Sequence, residues 1–227
     1  MLDRNRGSSY SASVQRSNAD VVQEQLAAAA ARLGLKLEPA ACERLGQLVD
    51  SWQRFGRAFN LSGASDEAAL LKHAVEGLQV VALAHRIGWL PRQRWLDVGS
   101  GAGFPGLIVA ACLDVTVTLV EPRERRAAFL DLAVNQIGRA DCRVVRGHVE
   151  GATWRPIGKE SQLERGGFDW ASARAVFAPS VWVEVGQHWV RPGGVVVAHV
   201  RVDSAAFDGE AGRVDGERWS IRGIRCA

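Results

Sequence analysis

Apolar and polar positions change their rhythm near residue 92. Before it, apolar side chains recur at helical spacing. Residues 20–33 carry Val21, Val22, Leu26 and an alanine run, with Asn18 or Asp20 able to cap them and Gly34 to stop them, which predicts a helix. A second helix follows Pro39, with Leu45, Leu48, Val49, Trp52 and Phe55 along one face. Residues 59–63 break the pattern. Ser65 or Asp66 then opens a third helix that runs to about Ile87, with an interruption allowed at Gly77. No strand-like run separates the three, so an N-terminal helical cap over 20–91 is expected.

From Trp95 onward, short apolar runs at 95–98, 115–121, 143–146, 168–173 and 195–200 alternate with helical stretches at 106–113, 123–137 and 179–190. Strands apolar on both faces, alternating with helices, predict a doubly wound α/β domain over 92–227 with a covered parallel sheet. The polar stretch 154–167 reads as a surface loop. The tail from Arg201 is polar and glycine-rich and reads as at most a short edge hairpin around 218–224.

Composition changes this picture little. At 227 residues the chain can bury a full core, and Lys+Arg 28 against Asp+Glu 25 gives a net charge of only +3. The cations are nearly all arginine, which suits bidentate phosphate contacts and also follows from GC-rich codons. Cys42, Cys112, Cys142 and Cys226 lack metal-ligand spacing, and a reduced cytoplasmic setting fits them. No apolar run reaches membrane-spanning length, so no membrane partner is expected. Residues 1–19 lack a secretory apolar segment. Their Ser- and Arg-rich makeup fits a transit peptide or, as we expect, a disordered tail.

The chemistry concentrates where the first predicted strand breaks into glycines and opens a helix. Asp97 ends the strand, Gly99, Gly101 and Gly103 alternate through the turn, and Glu121 ends the second strand about twenty residues on. An acid at that place can accept both ribose hydroxyls of an adenosine. Two ligands compete. Gly101 to Gly106 matches the dinucleotide pattern G-x-G-x-x-G, which would suit an NAD-linked oxidoreductase. That frame, however, starts two residues late and sets Asp97 near the diphosphate. An acid there suits the cationic S-adenosylmethionine better. The oxidoreductase would also want a Tyr-Lys or His-Asp pair, and the only tyrosine is Tyr10.

The run Leu96-Asp-Val-Gly-Ser-Gly-Ala-Gly-Phe-Pro-Gly106 resembles the cofactor loop of the bacterial 16S ribosomal RNA guanine-N7 methyltransferases, the glucose-inhibited division protein B family. Trp52 through Asn60-Leu61-Ser62, Lys72-His73 through Glu76-Gly77, Glu121 through Arg125-Arg126 and Phe129-Leu130, and Phe168-Asp169 through Arg174-Ala175 are similar to further family segments in the same order. The resemblance covers about residues 40–200. It implies a Rossmann-like class I methyltransferase sheet beneath the helical cap and a monomer acting on small-subunit ribosomal RNA or an immature small subunit. It also implies Gly99, Gly101, Gly103 and Phe104 around S-adenosylmethionine, Glu121 on the ribose, Val149 and Glu150 beside the adenine, and Arg174 beside both cofactor and RNA.

Departures fall on the substrate side. Lys72, Glu76 and Gly77 stand for Arg, Asp and Ser of the family, Ala173 for a Ser, and Ala198-His199 for Leu-Lys. They leave a non-catalytic RNA-binding relative as a further alternative. Guanine N7 carries a free lone pair, so the implied transfer needs orientation and a dry pocket rather than a general base. In keeping with this, no nucleophile elbow is visible. Arg174 and His199 follow or end predicted strands at the ligand edge and are the candidates for positioning substrate, a core hydrogen bond being the other reading for His199. His73 and His148 read equally as packing residues. Arg123, Arg125 and Arg126 read as phosphate contacts or as a solvated first turn.

Overall fold

The computed structural model describes residues 18–55, 67–158 and 162–227. The tail expected over 1–19 lies outside these residues except for Asn18 and Ala19, which belong to the first helix; the break at 59–63 and the capping Ser65 or Asp66 also lie outside. Three helices come first: α1 (Asn18–Arg32), α2 (Pro39–Phe55) and α3 (Glu67–Ile87). Then β1 (Arg94–Val98), α4 (Gly106–Cys112), β2 (Thr116–Val120), α5 (Glu124–Gln136) and β3 (Arg143–Val145) alternate. After them come β4 (Gly147–Glu150), β5 (Thr153–Pro156), β6 (Phe168–Ala173), α6 (Pro179–Gln187) and β7 (Val190–Arg201). The chain ends with β8 (Glu210–Asp215) and β9 (Trp219–Arg225).

Seven strands form one sheet in the order β3-β2-β1-β6-β7-β9-β8. The first five are parallel; β9 runs antiparallel to β7, and β8 antiparallel to β9, closing the edge. The chain leaves β1 toward β2 and β3, then crosses back to β6 on the other side. Such a reversal opens a crevice at the carboxyl ends of the strands.

Alternating side chains feed two cores, one on each face of the sheet. Trp95, Val117, Trp170 and Val195 pack with α1 to α5, whereas Leu96, Val98, Ala171 and Val196 pack with Trp182 and Val185 of α6. Trp95 and Trp170 stack with ring centroids 5.0 Å apart. Three indoles of these cores find a hydrogen-bond acceptor: Trp95 donates to Ser172 Oγ, Trp170 to Gln93 Oε1 and Trp182 to the Val197 carbonyl.

Four expectations change. The loop expected over 154–167 begins as a strand, because β4 and β5 pair as an antiparallel hairpin. The fifth parallel strand starts at Val190 rather than Val195, with a register shift between Phe168 and Trp170 on its neighbour; α6 accordingly ends at Gln187. The tail hairpin is a full pair of strands, and β9 runs inside the sheet, bonded to β7 from Val195 to Arg201. Finally, α3 passes through Gly77 without interruption. A Cβ there would lie 2.7 Å from Ile108 Cγ1, so the glycine lets α3 approach α4.

Candidate active site

The crevice at the switch point is a cleft of about 420 Å³, lined by the β1–α4 loop, the ends of β2 and β6 and the β4–β5 hairpin. That volume falls in the range of about 300–1,000 Å³ usual for small-molecule sites. The loop doubles back on itself: the amides of Gly99 and Ser100 donate to the Val120 carbonyl, and Gly103 N donates to Ser100 O. Gly99 has φ +69°, and a Cβ on it would strike Val176. The Phe104–Pro105 peptide is cis.

Glu121 is buried on the cleft wall. Its Oε2 accepts from Gly101 N and its Oε1 from Arg123 N, both at 2.9 Å. Two backbone donors thus fix the carboxylate, and each oxygen retains a lone pair for a ligand hydroxyl. This pair of fixed acceptors fits the two hydroxyls of a ribose diol. Val149 of β4 also lines the cleft, together with Gly147 and His148.

The opposite wall carries Arg174, directly after β6. Its Nη2 donates to Glu76 Oε2 at 2.6 Å and to His73 Nδ1, both on α3. Burial alone would raise the Glu76 carboxyl; its contacts with His73 and the positive charge of Arg174 outweigh that and hold it below its ordinary value. Phe104 stacks on Trp52, centroids 4.6 Å apart, with the His73 ring 5.6 Å away, and Trp52 Nε1 donates to the Ala102 carbonyl. Ala175, next to Arg174, has φ +57°. A non-glycine residue held there marks local strain, which concentrates at functional sites.

Gly99, Gly101, Phe104, Glu121, Val149 and Arg174 therefore share one cleft. Four other candidates stand elsewhere. Asp97 does not face the ligand space. Its side chain is 1% exposed and points behind the loop, where Oδ1 accepts from Ser172 Oγ at 2.7 Å and Oδ2 lies against Gly106. Burial raises its carboxyl to about 6 despite the hydrogen bond from Ser172. The reason is strand parity: Asp97 shares its face with Trp95, toward α4. Gly103 (φ +92°) turns the backbone over Leu107 without lining the cleft. Glu150 is exposed and pairs with Arg155 at 2.9 Å. His199 also lies off the wall. Neither of its ring nitrogens reaches solvent, and its polar approach to the Ala173 backbone lacks the geometry of a full hydrogen bond. Burial, reinforced by the charge of Arg174, pushes its imidazole down to about 4.

The position of Asp97 also bears on the choice of ligand. A dinucleotide of the G-x-G-x-x-G type seats its diphosphate on a helix N-terminus. Here the start of α4 is buried against the protein's own carboxyl, and only Gly99 to Ala102 and Phe104 of the loop face the cleft. Sequence reasoning missed Ala175 and Val176 as lining residues; a positive φ at alanine leaves no signature. Among the described residues there is no cluster of metal-ligating side chains, and no helix is long and apolar enough to cross a membrane.

The sheet order and its covered faces define a Rossmann-like α/β fold, the architecture of the S-adenosylmethionine-dependent methyltransferases. A solved structure of an MtNAS mutant in complex with S-adenosylmethionine matches 91% of this chain and 99% of that one, with TM-score 0.51 and 13% identity, a likeness of fold alone. The chain belongs to the rRNA small subunit methyltransferase G family, whose pattern matches residues 41–205. A Ralstonia nicotianae protein, ribosomal RNA small subunit methyltransferase G, is 31% identical over 209 residues, 89% of this chain and 86% of that one. A Neisseria meningitidis protein of the same name is 36% identical over 129 residues, 56% of this chain. That match spans 60% of the Neisseria protein's length.

Proposed function

We propose that the chain is an enzyme that uses S-adenosylmethionine to methylate N7 of a guanine in small-subunit (16S) ribosomal RNA. Residues 20–91 serve as its helical cap and 92–227 as its methyltransferase domain. It works as a cytoplasmic monomer on the free RNA or an immature subunit. The observation that carries this is Glu121, fixed by the amides of Gly101 and Arg123, facing Arg174 across a cleft of about 420 Å³. Family membership supplies the substrate class.

When bound, S-adenosylmethionine supplies an activated methyl that the free lone pair of guanine N7 can attack in line, with no proton to remove first. The chain's residues hold and orient. Glu121 takes the ribose hydroxyls, Val149 flanks the adenine, and Phe104 with Trp52 closes one side against water. Glu76 keeps the Arg174 guanidinium in one place, ready for the incoming base or its phosphate. This pairing weakens the case for a non-catalytic relative, because Glu76 makes the ion pair that a shorter Asp would make. His199, neutral and buried behind Arg174, supports that wall and is no base.

Calorimetry with S-adenosylmethionine and with NAD tests the cofactor. Binding of the first is expected; binding of NAD alone would refute the reading. Transfer of a labelled methyl to small-subunit RNA then separates an enzyme from a binder.

A further inference from the structure

A second cleft, of about 560 Å³, opens between α1, α3 and the turn joining β8 to β9. Its walls include Arg32, Lys72, Glu76, Arg218 and Trp219. Three observations point to its use. First, it lies on the same edge of the sheet as the cofactor cleft. β9 is antiparallel to β7 and pairs Trp219 with Arg201, so Trp219 and the β8–β9 turn sit at the carboxyl ends of the parallel strands. Second, Glu76 lines this cleft while its carboxylate holds Arg174, which lines the other. The two cavities stand back to back across one ion pair. Third, Arg32, Lys72 and Arg218 are exposed and make no ion pair among the described residues, and Trp219 is 40% exposed. Of the two acids in the lining, Glu76 is already paired, which leaves Glu217 against three cations.

An exposed indole beside uncompensated cations is how proteins hold single-stranded nucleic acid: bases stack on the ring, and cations follow the backbone. We propose that this cleft receives an unpaired nucleotide next to the methylated guanine, its base stacked on Trp219 and its phosphates held by Arg32, Lys72 and Arg218. The inference rests on the function proposed above. A base delivered at Arg174 leaves its neighbour within reach of the adjoining cleft, so the RNA is gripped on both sides of the ion pair.

The test uses the full chain with small-subunit ribosomal RNA. Trp219→Ala is expected to raise KM for RNA about tenfold, the scale of losing one base-aromatic stack. Trp219→Phe should restore most of it, and the S-adenosylmethionine dissociation constant should not move. Lys72→Ala with Arg218→Ala should flatten the dependence of RNA binding on salt by roughly two phosphate contacts. RNA KM and salt slope unchanged in both variants would overturn the proposal, and would leave the cleft to a protein partner. Direct RNA binding separates this failure from that of the function itself. A wild type that binds RNA but transfers no methyl, with binding weakened in both variants, would keep the cleft and refute the methyltransferase.

Discussion

At the scale of single residues, two carboxylates of similar sequence context part ways: Glu121 faces the cleft and Asp97 does not. Glu121→Ala is expected to weaken S-adenosylmethionine binding by about 1–3 kcal/mol, the usual loss for a buried hydrogen-bond partner; calorimetry would show it. Glu76→Gln keeps the shape but removes the charge that fixes Arg174. It should lower kcat/KM for RNA at least about tenfold, the scale of one charged hydrogen bond, with cofactor affinity little altered. His199 and Asp97 give opposite pH signatures. His199 falls from 6.5 unfolded to about 4 folded, so its contribution to stability is present above 6.5 and lost as pH falls toward 4. Asp97 rises from 3.8 to about 6, so its contribution is present below 3.8 and lost as pH rises through 6. Relative to wild type, His199→Gln should therefore lose less stability on acidification from pH 7 to 4, by on the order of 2 kcal/mol, in urea unfolding at each pH. The place of Asp97 was not legible in the sequence, because a strand-end acid reads the same whether its face meets the ligand or the helix behind.

At the scale of elements, the parallel strands and all six helices were legible, since each carries a strong apolar period. What the pattern missed was β4, β5, the first residues of β7 and the full extent of β9, where pairing with a neighbouring strand supplies order that no clean apolar period announces. β4 and β5 are four residues each, with only Gly147 and Val149 buried. β7 begins with Val190-Arg-Pro-Gly-Gly194, which reads as a turn until Phe168 pairs with Val190. In β9 a buried arginine interrupts the apolar pattern: Arg222, 1% exposed, is held by Glu210 at 3.0 Å and by the Ser204 and Ala205 carbonyls. Gly77 was read as a possible break because glycine weakens helices, whereas its cause is the neighbouring helix. Gly77→Val should push α3 from Ile108 and cost about 1–3 kcal/mol of stability by overpacking, seen as a lower urea midpoint with unchanged slope.

At the scale of the molecule, one sheet edge gathers the whole function. Glu121 ends the route from β2, Arg174 the route from β6, and Trp219 begins the return of β9, while α3 joins the two clefts through Glu76. The helices of the cap and the strands of the sheet share one hydrophobic core, so cofactor and RNA should each stabilise the fold as a unit. S-adenosylmethionine at a hundred times its dissociation constant should add about 2.7 kcal/mol by mass action, raising Tm, and NAD should not. The most direct test of the central claim is nucleoside mass spectrometry of small-subunit ribosomal RNA after incubation with the protein and methyl-labelled S-adenosylmethionine. Label is expected in a single 7-methylguanosine; no label in RNA, or label in a different nucleoside, would contradict the proposed activity.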